Sequence, residues 1–264
     1  MGSREVADNL DFDSDSAVER LVQLYQSDGM QRRQRLALEA ARLSVGETVV
    51  DLGCGPGFYL EPLRRQVGDT GHVIGVDPTG GMLDMAANRA AGTELREGSA
   101  TAIPLDESSV DAVFSVQVFE YLDDVRAALR EVWRVLRPGG RVVIWDTDWS
   151  SVSWHSQDPA RMDLVLKAWD QHLADPVLPR TLAPALRACD FVNIETAGHA
   201  FTLTDAKQGT MARGLLDLIH DYVRQRPDFS QAAADSWREE LLESDAKGEF
   251  FLAYLQYAFT ATRP

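Results

Sequence analysis

The chain has 264 residues, of which 45% are hydrophobic and 25% are charged, a composition typical of a globular protein with a substantial core. Its 26 basic and 41 acidic side chains give a formal net charge of −15. Because an acidic surface repels phosphate backbones, no nucleic-acid partner is expected. The two cysteines, Cys54 and Cys189, do not form a metal-type or redox pair, and no apolar run is long enough to cross a bilayer. A cytoplasmic protein without a membrane span is expected, either a monomer or a homodimer.

The spacing of apolar residues predicts two helices between residues 17 and 43, separated at Asp28-Gly29. Short β-branched runs then alternate with helical segments, an order typical of βαβ units and of a parallel sheet with helices on both faces. Predicted strands cover residues 48–52, 72–77, 94–97, 110–116 and 141–146, and predicted helices cover about 58–66, 81–91 and 123–136. The last of these helices is expected to stop at a Pro/Gly exit, residues 137–140.

The pattern changes after residue 146. Residues 158–190 have helical spacing, 191–197 a strand pattern, 208–246 the spacing of two or three amphipathic helices, and 250–262 the alternation of a closing strand. No linker separates a second domain. We therefore expect one α/β domain over 1–264. Lid helices and core occupy about 16–148, a cap insertion with one core strand about 149–248, and the closing strand about 250–264.

A glycine-rich turn, Asp51-Leu-Gly53-Cys54-Gly55-Pro-Gly57, follows the first predicted strand. Such a turn lets a ligand approach the backbone closely, although a plain turn is the alternative. A dinucleotide site would need the spacing G-x-G-x-x-G, whereas here the third glycine comes one residue early and Phe58 takes the place of that glycine. A carboxylate at the strand tip would also repel a pyrophosphate. It suits a ligand that carries an ammonium and a sulfonium.

A second acidic residue, Asp77, ends the second predicted strand, twenty residues after Gly57. A carboxylate at this position can accept both hydroxyls of a ribose through charge-assisted hydrogen bonds, ~1.5–3 kcal/mol each before desolvation. The alternative is that Asp77 only caps the helix that begins near Thr79. The upstream glycine turn favours ribose binding.

Four motifs together resemble the motif series of class I S-adenosylmethionine-dependent methyltransferases. They are Val-Val-Asp-Leu-Gly-Cys-Gly-Pro-Gly57, Gly-Val-Asp77-Pro with Met82, Ala102-Ile-Pro104-Leu, and Leu-Arg-Pro-Gly-Gly140. The likeness covers residues ~20–147 and is closest to ubiquinone/menaquinone-biosynthesis C-methyltransferases and natural-product methyltransferases. It implies a Rossmann-like three-layer sandwich with a mostly parallel seven-stranded sheet, N-terminal lid helices and a helical cap insertion. It also implies S-adenosyl-L-methionine as cofactor and S-adenosyl-L-homocysteine as product.

The resemblance assigns cofactor contacts to individual residues. The glycines lie under the methionyl part, Asp51 holds the amino group, Asp77 binds the ribose, and Pro78 and Met82 sandwich the adenine. Residues 99–101 contact the adenine edge, with Ser99 where the family usually has Asp. Gln117 lies in the segment that passes the sulfonium, and Tyr25 belongs to the lid; Met82 and Tyr25 have core packing as the alternative. The predicted set is Tyr25, Asp51, Gly53, Cys54, Gly55, Gly57, Asp77, Pro78, Met82, Ser99, Ala100, Thr101 and Gln117.

The segment after the fifth predicted strand concentrates chemically active side chains, with three tryptophans, two carboxylates and a histidine within residues 145–155. His155 is the natural general base because its unperturbed pKa is close to neutrality. Asp148 is expected to orient that base or to bind a cationic or hydroxylated substrate. Substrate-binding candidates are Trp149, Trp154 and His199; a capping role for Asp148 and structural roles for the others are the alternatives. Asp146 and Asp148 have no third ligand nearby, so no metal site is predicted.

The function expected from these residues is methyl transfer by in-line displacement to an O, N or C nucleophile of a small molecule, such as a quinone, a phenol or a natural product. Enzymes that methylate exocyclic amines or side-chain amides typically carry (Asp/Asn)-Pro-Pro-aromatic after the fourth strand. This chain has Ser115-Val-Gln-Val118 there. A protein or nucleic-acid methyltransferase, and a cofactor-binding protein with non-methylating chemistry, are the alternatives. Arsenite methylation would need clustered thiolates, which two distant cysteines do not supply.

Overall fold

Seven strands form one sheet in the computed structural model, which describes residues 22–264. The strand order is β3-β2-β1-β4-β5-β7-β6, and β1 pairs in parallel with both β2 and β4. β2 with β3 and β4 with β5 are also parallel pairs. The strands are β1 Thr48–Leu52, β2 His72–Asp77, β3 Glu94–Glu97, β4 Val110–Val116, β5 Leu136–Trp154, β6 Val192–Leu203 and β7 Leu252–Thr262. This confirms the predicted Rossmann-like α/β class and its mostly parallel seven-stranded sheet.

The direction of strand addition reverses at β1, which has β2 on one side and β4 on the other. In open α/β sheets, ligands bind outside the carboxyl ends of the strands at such a switch point. The helices are α1 Asp28–Ala41, α2 Leu60–Val67, α3 Gly80–Arg89, α4 Val125–Val135, α5 Pro159–Asp170, α6 Pro179–Ala188, α7 Met211–Gln225 and α8 Gln231–Ala246. A short 3-10 helix, Phe119–Tyr121, follows β4.

The described chain divides into two compact units. The sheet unit comprises residues 34–148, 177–199 and 256–264, and the helical unit comprises 22–33, 149–176 and 200–255. The part of the predicted N-terminal lid before residue 22 lies outside the described residues. No helix among residues 22–264 is long and apolar enough to cross a membrane.

β1 to β4 have the predicted bounds, but β5 does not. The predicted Pro/Gly exit at 137–140 is a bulge inside the strand, because Val110 pairs with Leu136 whereas Ala112 pairs with Arg141. Gly139 adopts φ +81° within this bulge. The Arg263 carbonyl accepts the Gly139 N–H, and the Arg263 backbone N–H donates to the Gly140 carbonyl, both at 2.8 Å. The strand then continues past Asp146 to Trp154, so the end predicted for this strand at residue 146 was wrong. The run between Trp149 and Trp154 is short and rich in Ser and Val, and it fits an extended chain.

The helical segments also differ from expectation in detail. The predicted helical run 158–190 is two helices, α5 and α6, interrupted at residues 171–178. Residues 208–246 form two helices, α7 and α8. The predicted break before Gly29 is present, since residues 22–26 are helical and α1 begins at Asp28.

The core of the sheet unit lies between the sheet and helices α4 and α6. α4 begins at an N-cap, Asp124, whose carboxylate accepts the Ala127 N–H at 2.8 Å. Its buried face supplies Ala128, Leu129, Val132 and Val135, and α6 supplies Leu182 and Leu186. These side chains pack against the buried residues of β1, β2, β4 and β5. The packing leaves the carboxyl ends of β1, β2 and β4 as the place for polar side chains.

The helical unit depends on two close backbone approaches. A Cβ at Gly214 on α7 would lie 2.5 Å from Leu24 Cδ1, and a Cβ at Gly29 would lie 2.5 Å from Met211 Sδ. Both distances are far inside van der Waals contact. The residues around α1 therefore dock on α7 at glycine positions.

His220 on α7 makes the stability of the helical unit depend on pH. Its Nδ1 lies 3.0 Å from Asp221 Oδ1, and its Nε2 lies 2.9 Å from Asp235 Oδ1 on α8. The hydrogen bond with Asp221 raises the pKa of His220; burial and the charge of Arg238 oppose this, and the Asp235 contact adds to it. The folded protein therefore favours the charged imidazole. The stabilisation by the charged imidazole is complete below a pH of about 6.5, the ordinary pKa of histidine. It is lost as pH rises through the raised pKa of His220.

We expect the His220→Gln variant to unfold at lower urea concentration than the unchanged protein at pH 5.5, with the difference shrinking by pH 8.5. Chemical unfolding at four pH values measures this. Asp235→Asn, which removes the partner on α8, should reproduce part of the effect. A difference that stays constant with pH would show that the charge of His220 contributes nothing.

Candidate functional site

The glycine-rich turn after β1 is held against the end of β2. The N–H groups of Gly53 and Cys54 donate to the Val76 carbonyl at 2.7 and 3.0 Å. Gly53, Gly55 and Gly57 all have positive φ, at +73°, +49° and +82°, a region that other residues enter at a cost. The turn therefore has this shape only because glycines occupy it.

The three glycines differ in what surrounds them. A Cβ at Gly53 would lie 2.4 Å from Val118 Cγ2, and one at Gly57 would lie 3.0 Å from the Ala86 Cα. At Gly55, a Cβ would meet nothing within 4 Å. Packing within the protein excludes side chains at the first and third positions. The middle position borders open space, which is room for a ligand to approach the backbone.

Asp77, the last residue of β2, connects the turn to the start of α3. Its Oδ2 accepts the Gly55 N–H at 2.9 Å and its Oδ1 accepts the Thr79 N–H at 3.0 Å. Burial raises the pKa of this carboxyl, and the two backbone hydrogen bonds oppose the rise. Each carboxylate oxygen can accept a further hydrogen bond, so two ribose hydroxyls fit its remaining capacity.

Asp51, near the end of β1, is 2% exposed, and its Oδ2 is buried without a hydrogen-bond partner. Burial raises the pKa of this carboxyl to about 8, and the negative charge of Asp77 adds to the rise. A buried carboxyl with an unsatisfied oxygen is costly unless a ligand completes it. An ammonium group can donate a hydrogen bond to this oxygen and favour the ionised form of the carboxyl.

The residues predicted on the adenine side lie beside Asp77. The Gly98 N–H donates to the Asp77 carbonyl at 3.1 Å, which places the next three residues at the end of β2. Ser99 Oγ lies 3.2 Å from Thr101 Oγ1, and Ala100 is buried. Pro78 is exposed and Met82 half-buried at the start of α3. This arrangement fits the predicted order of contacts, from ribose to adenine.

Gln117 lies in a strained turn at the end of β4, with φ +58°. Its Oε1 accepts the Thr147 hydroxyl at 2.9 Å and Gln256 Nε2 at 3.1 Å. Gln256 Oε1 also accepts a hydrogen bond from Trp145 Nε1 at 2.8 Å, and Gln256 Nε2 donates one to Thr147 Oγ1 at 2.9 Å. Strained backbone held by a buried network is typical of functional sites. Gln256 was missed because 139 residues separate it from Gln117 and no sequence pattern joins them.

Two carboxyls, Asp146 and Glu120, lie beside Gln117, and both residues are 0% exposed. Asp146 Oδ1 accepts the Val118 N–H at 3.1 Å, and its Oδ2 is buried without a hydrogen-bond partner. Burial raises the pKa of Asp146, and the charge of Glu120 adds to the rise. The sequence predicted no role for either residue, since Asp146 and Asp148 lack a third metal ligand nearby.

Glu120 connects the segment that follows β4 with Thr147 in β5. Its Oε1 accepts Gln117 Nε2 and its Oε2 accepts the Thr147 N–H, both at 3.3 Å. Within residues 22–264, no group of three or more His, Cys, Asp or Glu side chains could hold a metal ion.

Two of the predicted catalytic or substrate residues lie in the sheet unit. Asp148 is buried, and its two oxygens accept Arg180 Nε at 3.0 Å and Nη2 at 3.3 Å. The imidazole of His199 stacks on Trp145, with ring centroids 4.7 Å apart and planes 21° apart. The roles predicted for these two residues stay predictions.

The other candidates lie in the helical unit. His155 follows β5 with an exposed side chain, and its backbone N–H donates to the Phe251 carbonyl at 2.9 Å. Trp154 makes edge contacts with Trp237 and Phe250 at 5.7 and 5.9 Å. Trp149 contacts Trp169 and His172, and the Arg33 guanidinium lies 5.3 Å from the Tyr25 ring centroid. Trp154 thus packs as core; the predicted roles of all four stay predictions.

Comparison with known proteins identifies the family. Residues 50–144 match the family model described as a methyltransferase domain. An uncharacterised 37.1 kDa protein of transposon Tn4556 from Streptomyces fradiae is 34% identical over 252 residues, 92% of this chain and 70% of that protein. The chain belongs to the S-adenosylmethionine-dependent methyltransferase family.

Other relatives match a smaller part of the chain. An arsenite methyltransferase of Halobacterium salinarum is 40% identical over 40% of this chain and 28% of that protein. A demethylmenaquinone methyltransferase of Oceanobacillus iheyensis is 33% identical over 42% and 48%. The matches therefore span less than half the length of these two relatives.

A solved structure extends the likeness in fold to the whole chain. It is phosphoethanolamine N-methyltransferase 2 of Haemonchus contortus in complex with S-adenosyl-L-methionine. Its TM-score is 0.63 at 19% identity, and the match covers 100% of this chain and 61% of that one. Methyltransferases of this family use S-adenosylmethionine, and the open space at Gly55 and the unsatisfied oxygen of Asp51 fit that cofactor.

Replacing Asp51 by Asn is expected to weaken S-adenosylmethionine binding about 10- to 150-fold, because one charge-assisted hydrogen bond of ~1.5–3 kcal/mol is lost. Titration calorimetry at pH 7.5 measures the affinity. The unchanged protein should also bind more tightly as pH rises from 5.5 to 7.5, because a greater fraction of Asp51 ionises toward its pKa of about 8.

The same substitution should stabilise the protein without ligand. In the folded state Asp51 keeps a proton that the unfolded chain releases, so its burial reduces stability increasingly as pH rises from 3.8 to about 8. The melting temperature of the variant should exceed that of the unchanged protein most clearly at pH 8.5. A melting temperature equal to or below it at that pH would contradict the burial of an unsatisfied carboxylate.

Gly55→Ala tests the open space in the turn. The added Cβ meets no protein atom, so it intrudes only on a ligand. Gly92→Ala is the matched control, since Gly92 also has positive φ and open surroundings but lies between α3 and β3. We expect similar losses of melting temperature in both variants, and a cofactor affinity at least tenfold lower only in Gly55→Ala. Equal affinities would place the ligand elsewhere.

Proposed function

We propose that this methyltransferase transfers the methyl group of S-adenosylmethionine by in-line displacement to an O, N or C nucleophile of a small molecule. The observation that carries the proposal is the pair of buried carboxyls at the ends of β1 and β2, Asp51 and Asp77, on either side of the opening at Gly55. Negative charge concentrated there attracts a cationic nucleoside and repels a phosphate-linked one.

The bound cofactor supplies a methyl group already activated by a positively charged sulfur. In this proposal Asp51 holds its ammonium, Asp77 its ribose hydroxyls, and residues 78–82 and 99–101 its adenine. Positioning of nucleophile and methyl donor in line is worth ~7–11 kcal/mol. A general base adds a further factor of ~10²–10⁴ where the nucleophile carries a proton.

For the acceptor side, the proposal keeps the predicted residues and gives Asp148 a more definite role. Both oxygens of Asp148 accept hydrogen bonds from Arg180, so this carboxylate orients a guanidinium. His155 is the proposed general base, and His199, Trp149 and Trp154 are the proposed acceptor wall. The net charge of −15 and the sequence Ser115–Val118 after β4 favour a small molecule over nucleic acid.

Arsenite, the substrate in the name of one relative, does not suit the thiols of this chain. Burial raises the pKa of Cys54, with Asp51 and Asp77 adding to the rise, and burial also raises the pKa of Cys189. A soft metalloid needs thiolates, and these environments keep the thiols protonated. The proposal therefore names organic acceptors.

Turnover of labelled S-adenosylmethionine across panels of phenols, quinones, amines and carboxylates tests the proposal. On the acceptor that reacts, we expect His155→Ala to lower kcat by about 10²-fold or more if that acceptor is protonated at neutral pH. Asp148→Asn should mainly raise KM, because it releases Arg180.

His72→Ala is the matched control for the histidine variant, since His72 lies at the amino end of β2, away from the strand tips. It should keep the unchanged rate. Wild-type rates in both His155→Ala and Asp148→Asn would remove these residues from the mechanism. Methylation of RNA or protein with no reaction on any panel would overturn the small-molecule proposal.

A further inference from the structure

The segment that follows the predicted adenine contacts, Ile103-Pro104-Leu105, is held by side chains of α4 and β3. On α4, Arg134 donates to the Leu105 carbonyl from Nη1 at 2.7 Å and to the Ile103 carbonyl from Nη2 at 2.9 Å. From β3, Arg96 Nη1 donates to the Pro104 carbonyl at 2.6 Å. Three consecutive backbone carbonyls therefore accept hydrogen bonds from two guanidinium groups.

Glu131, on the preceding turn of α4, completes this set of partners. Its Oε1 accepts Arg134 Nε and its Oε2 accepts Arg134 Nη2, both at 2.8 Å, while Oε2 also accepts the Ile103 N–H at 3.0 Å. The ion pair thus binds both backbone groups of Ile103, as a neighbouring strand would. The hydrogen bond from Arg134 lowers the pKa of Glu131, and the Ile103 N–H adds to the lowering while burial opposes it. The pair is therefore charged at neutral pH.

The turn that carries the predicted adenine contacts closes on this segment. The Ala102 N–H donates to the Ser99 carbonyl at 3.1 Å, so residues 99–102 form a tight turn. A Cβ at Gly98, just before the turn, would lie 2.5 Å from Pro104 Cδ, just after it. The two ends of the turn thus touch, and the position of the turn depends on the backbone at Pro104.

Two hydroxyl groups define what this turn can bind. Ser99 Oγ and Thr101 Oγ1 lie 3.2 Å apart, within hydrogen-bonding distance of each other. A hydroxyl that donates to one partner can still accept a hydrogen bond at its oxygen, and the 6-amino group of adenine is a donor. Because a hydrogen bond weakens as its distance and angle depart from the optimum, this contact requires the turn to keep one position.

We propose that Arg134 and Glu131 are positioning residues for the adenine of the cofactor. By holding the backbone of residues 103–105, they place the hydroxyls of Ser99 and Thr101 in reach of its 6-amino group. Both side chains act through the backbone, and neither contacts the cofactor. The inference rests on the proposed function, in which this turn contacts the adenine of S-adenosylmethionine.

Two ligands that differ only at the base isolate this contact: S-adenosylhomocysteine and its analogue in which hydrogen replaces the 6-amino group. Both carry the same ammonium, ribose and thioether, so the ratio of their affinities reports on the 6-amino group. A variant that only loosens the fold lowers both affinities in the same proportion and leaves the ratio unchanged. A variant that misplaces the turn lowers the affinity for S-adenosylhomocysteine more than the affinity for the analogue.

Titration calorimetry at pH 7.5 measures both affinities. We expect the unchanged protein to bind S-adenosylhomocysteine about 2- to 13-fold more tightly than the analogue, the range for one hydrogen bond between neutral groups. Ser99→Ala and Arg134→Gln should each bring the ratio close to one. Arg134→Lys keeps the charge but loses the planar fork, so it should give an intermediate ratio. Glu131→Gln keeps an oxygen that can accept the Ile103 N–H and should also lower the ratio.

Arg141→Gln is the matched control. Arg141 also pairs with a glutamate, Glu47, at 3.0 and 2.6 Å, and it also donates to two backbone carbonyls, those of Ala41 at 2.7 Å and Arg42 at 2.8 Å. Glu47 directly precedes β1, so this ion pair lies at the amino end of that strand, whereas the glycine-rich turn follows its carboxyl end. The control variant should keep the ratio of the unchanged protein.

A ratio of one in the unchanged protein would overturn the inference. A ratio that Ser99→Ala lowers but both Arg134 variants leave unchanged would keep the adenine contact and reject the positioning role. Should Arg134→Gln fail to melt cooperatively, Arg134→Lys and Glu131→Gln decide the result. Methyl transfer to an acceptor on the panels, together with a ratio of one, would leave the proposed small-molecule reaction standing and reject this inference alone.

Discussion

The structure around the site depends on carboxyl groups held in places that water does not reach. Asp51 and Asp77 are buried carboxyls at the carboxyl ends of β1 and β2, and Asp146 is a buried carboxyl within β5, beside the end of β4. Removing a carboxylate from water is unfavourable unless it is protonated, hydrogen-bonded or paired with a cation. In this protein backbone N–H groups supply part of the compensation, and the oxygens that remain unsatisfied define what a ligand must bring.

This arrangement explains why the glycine-rich turn and the segment after β4 behave as one structural element. Gly53 is required by the side chain of Val118, and the Val118 backbone is held by Asp146. Gln117, next to it, is kept in a left-handed conformation by hydrogen bonds to β5 and β7. Residues of β5 and β7 and the ends of β1 and β4 thus determine the position of one short turn, a pre-organisation that suits the proposed in-line methyl transfer.

Much of the fold followed from local patterns. The first four strands have the predicted bounds because a Gly, a Pro or a polar residue follows each of them, and because β1, β2 and β4 are short β-branched or apolar runs. β5 did not, because the Pro-Gly-Gly sequence that stops a helix also fits a bulge, and only the pairing with Val110 and Arg263 decides between them. The strand beyond Asp146 was likewise indistinguishable from a loop, since the Trp, Ser and Val residues that follow Asp148 carry no clear period.

For this protein, the sequence by itself determined the α/β class and the glycine-rich turn, and it predicted Asp51 and Asp77 as the acidic partners of a cationic nucleoside. Those features are local, since each depends on residues a few positions apart at a strand end. Only the tertiary structure brought Glu120, Asp146 and Gln256 together and showed that Arg180 holds Asp148. Their contacts join residues 27 to 139 positions apart, and hydrogen bonds between distant segments leave no periodicity in a chain.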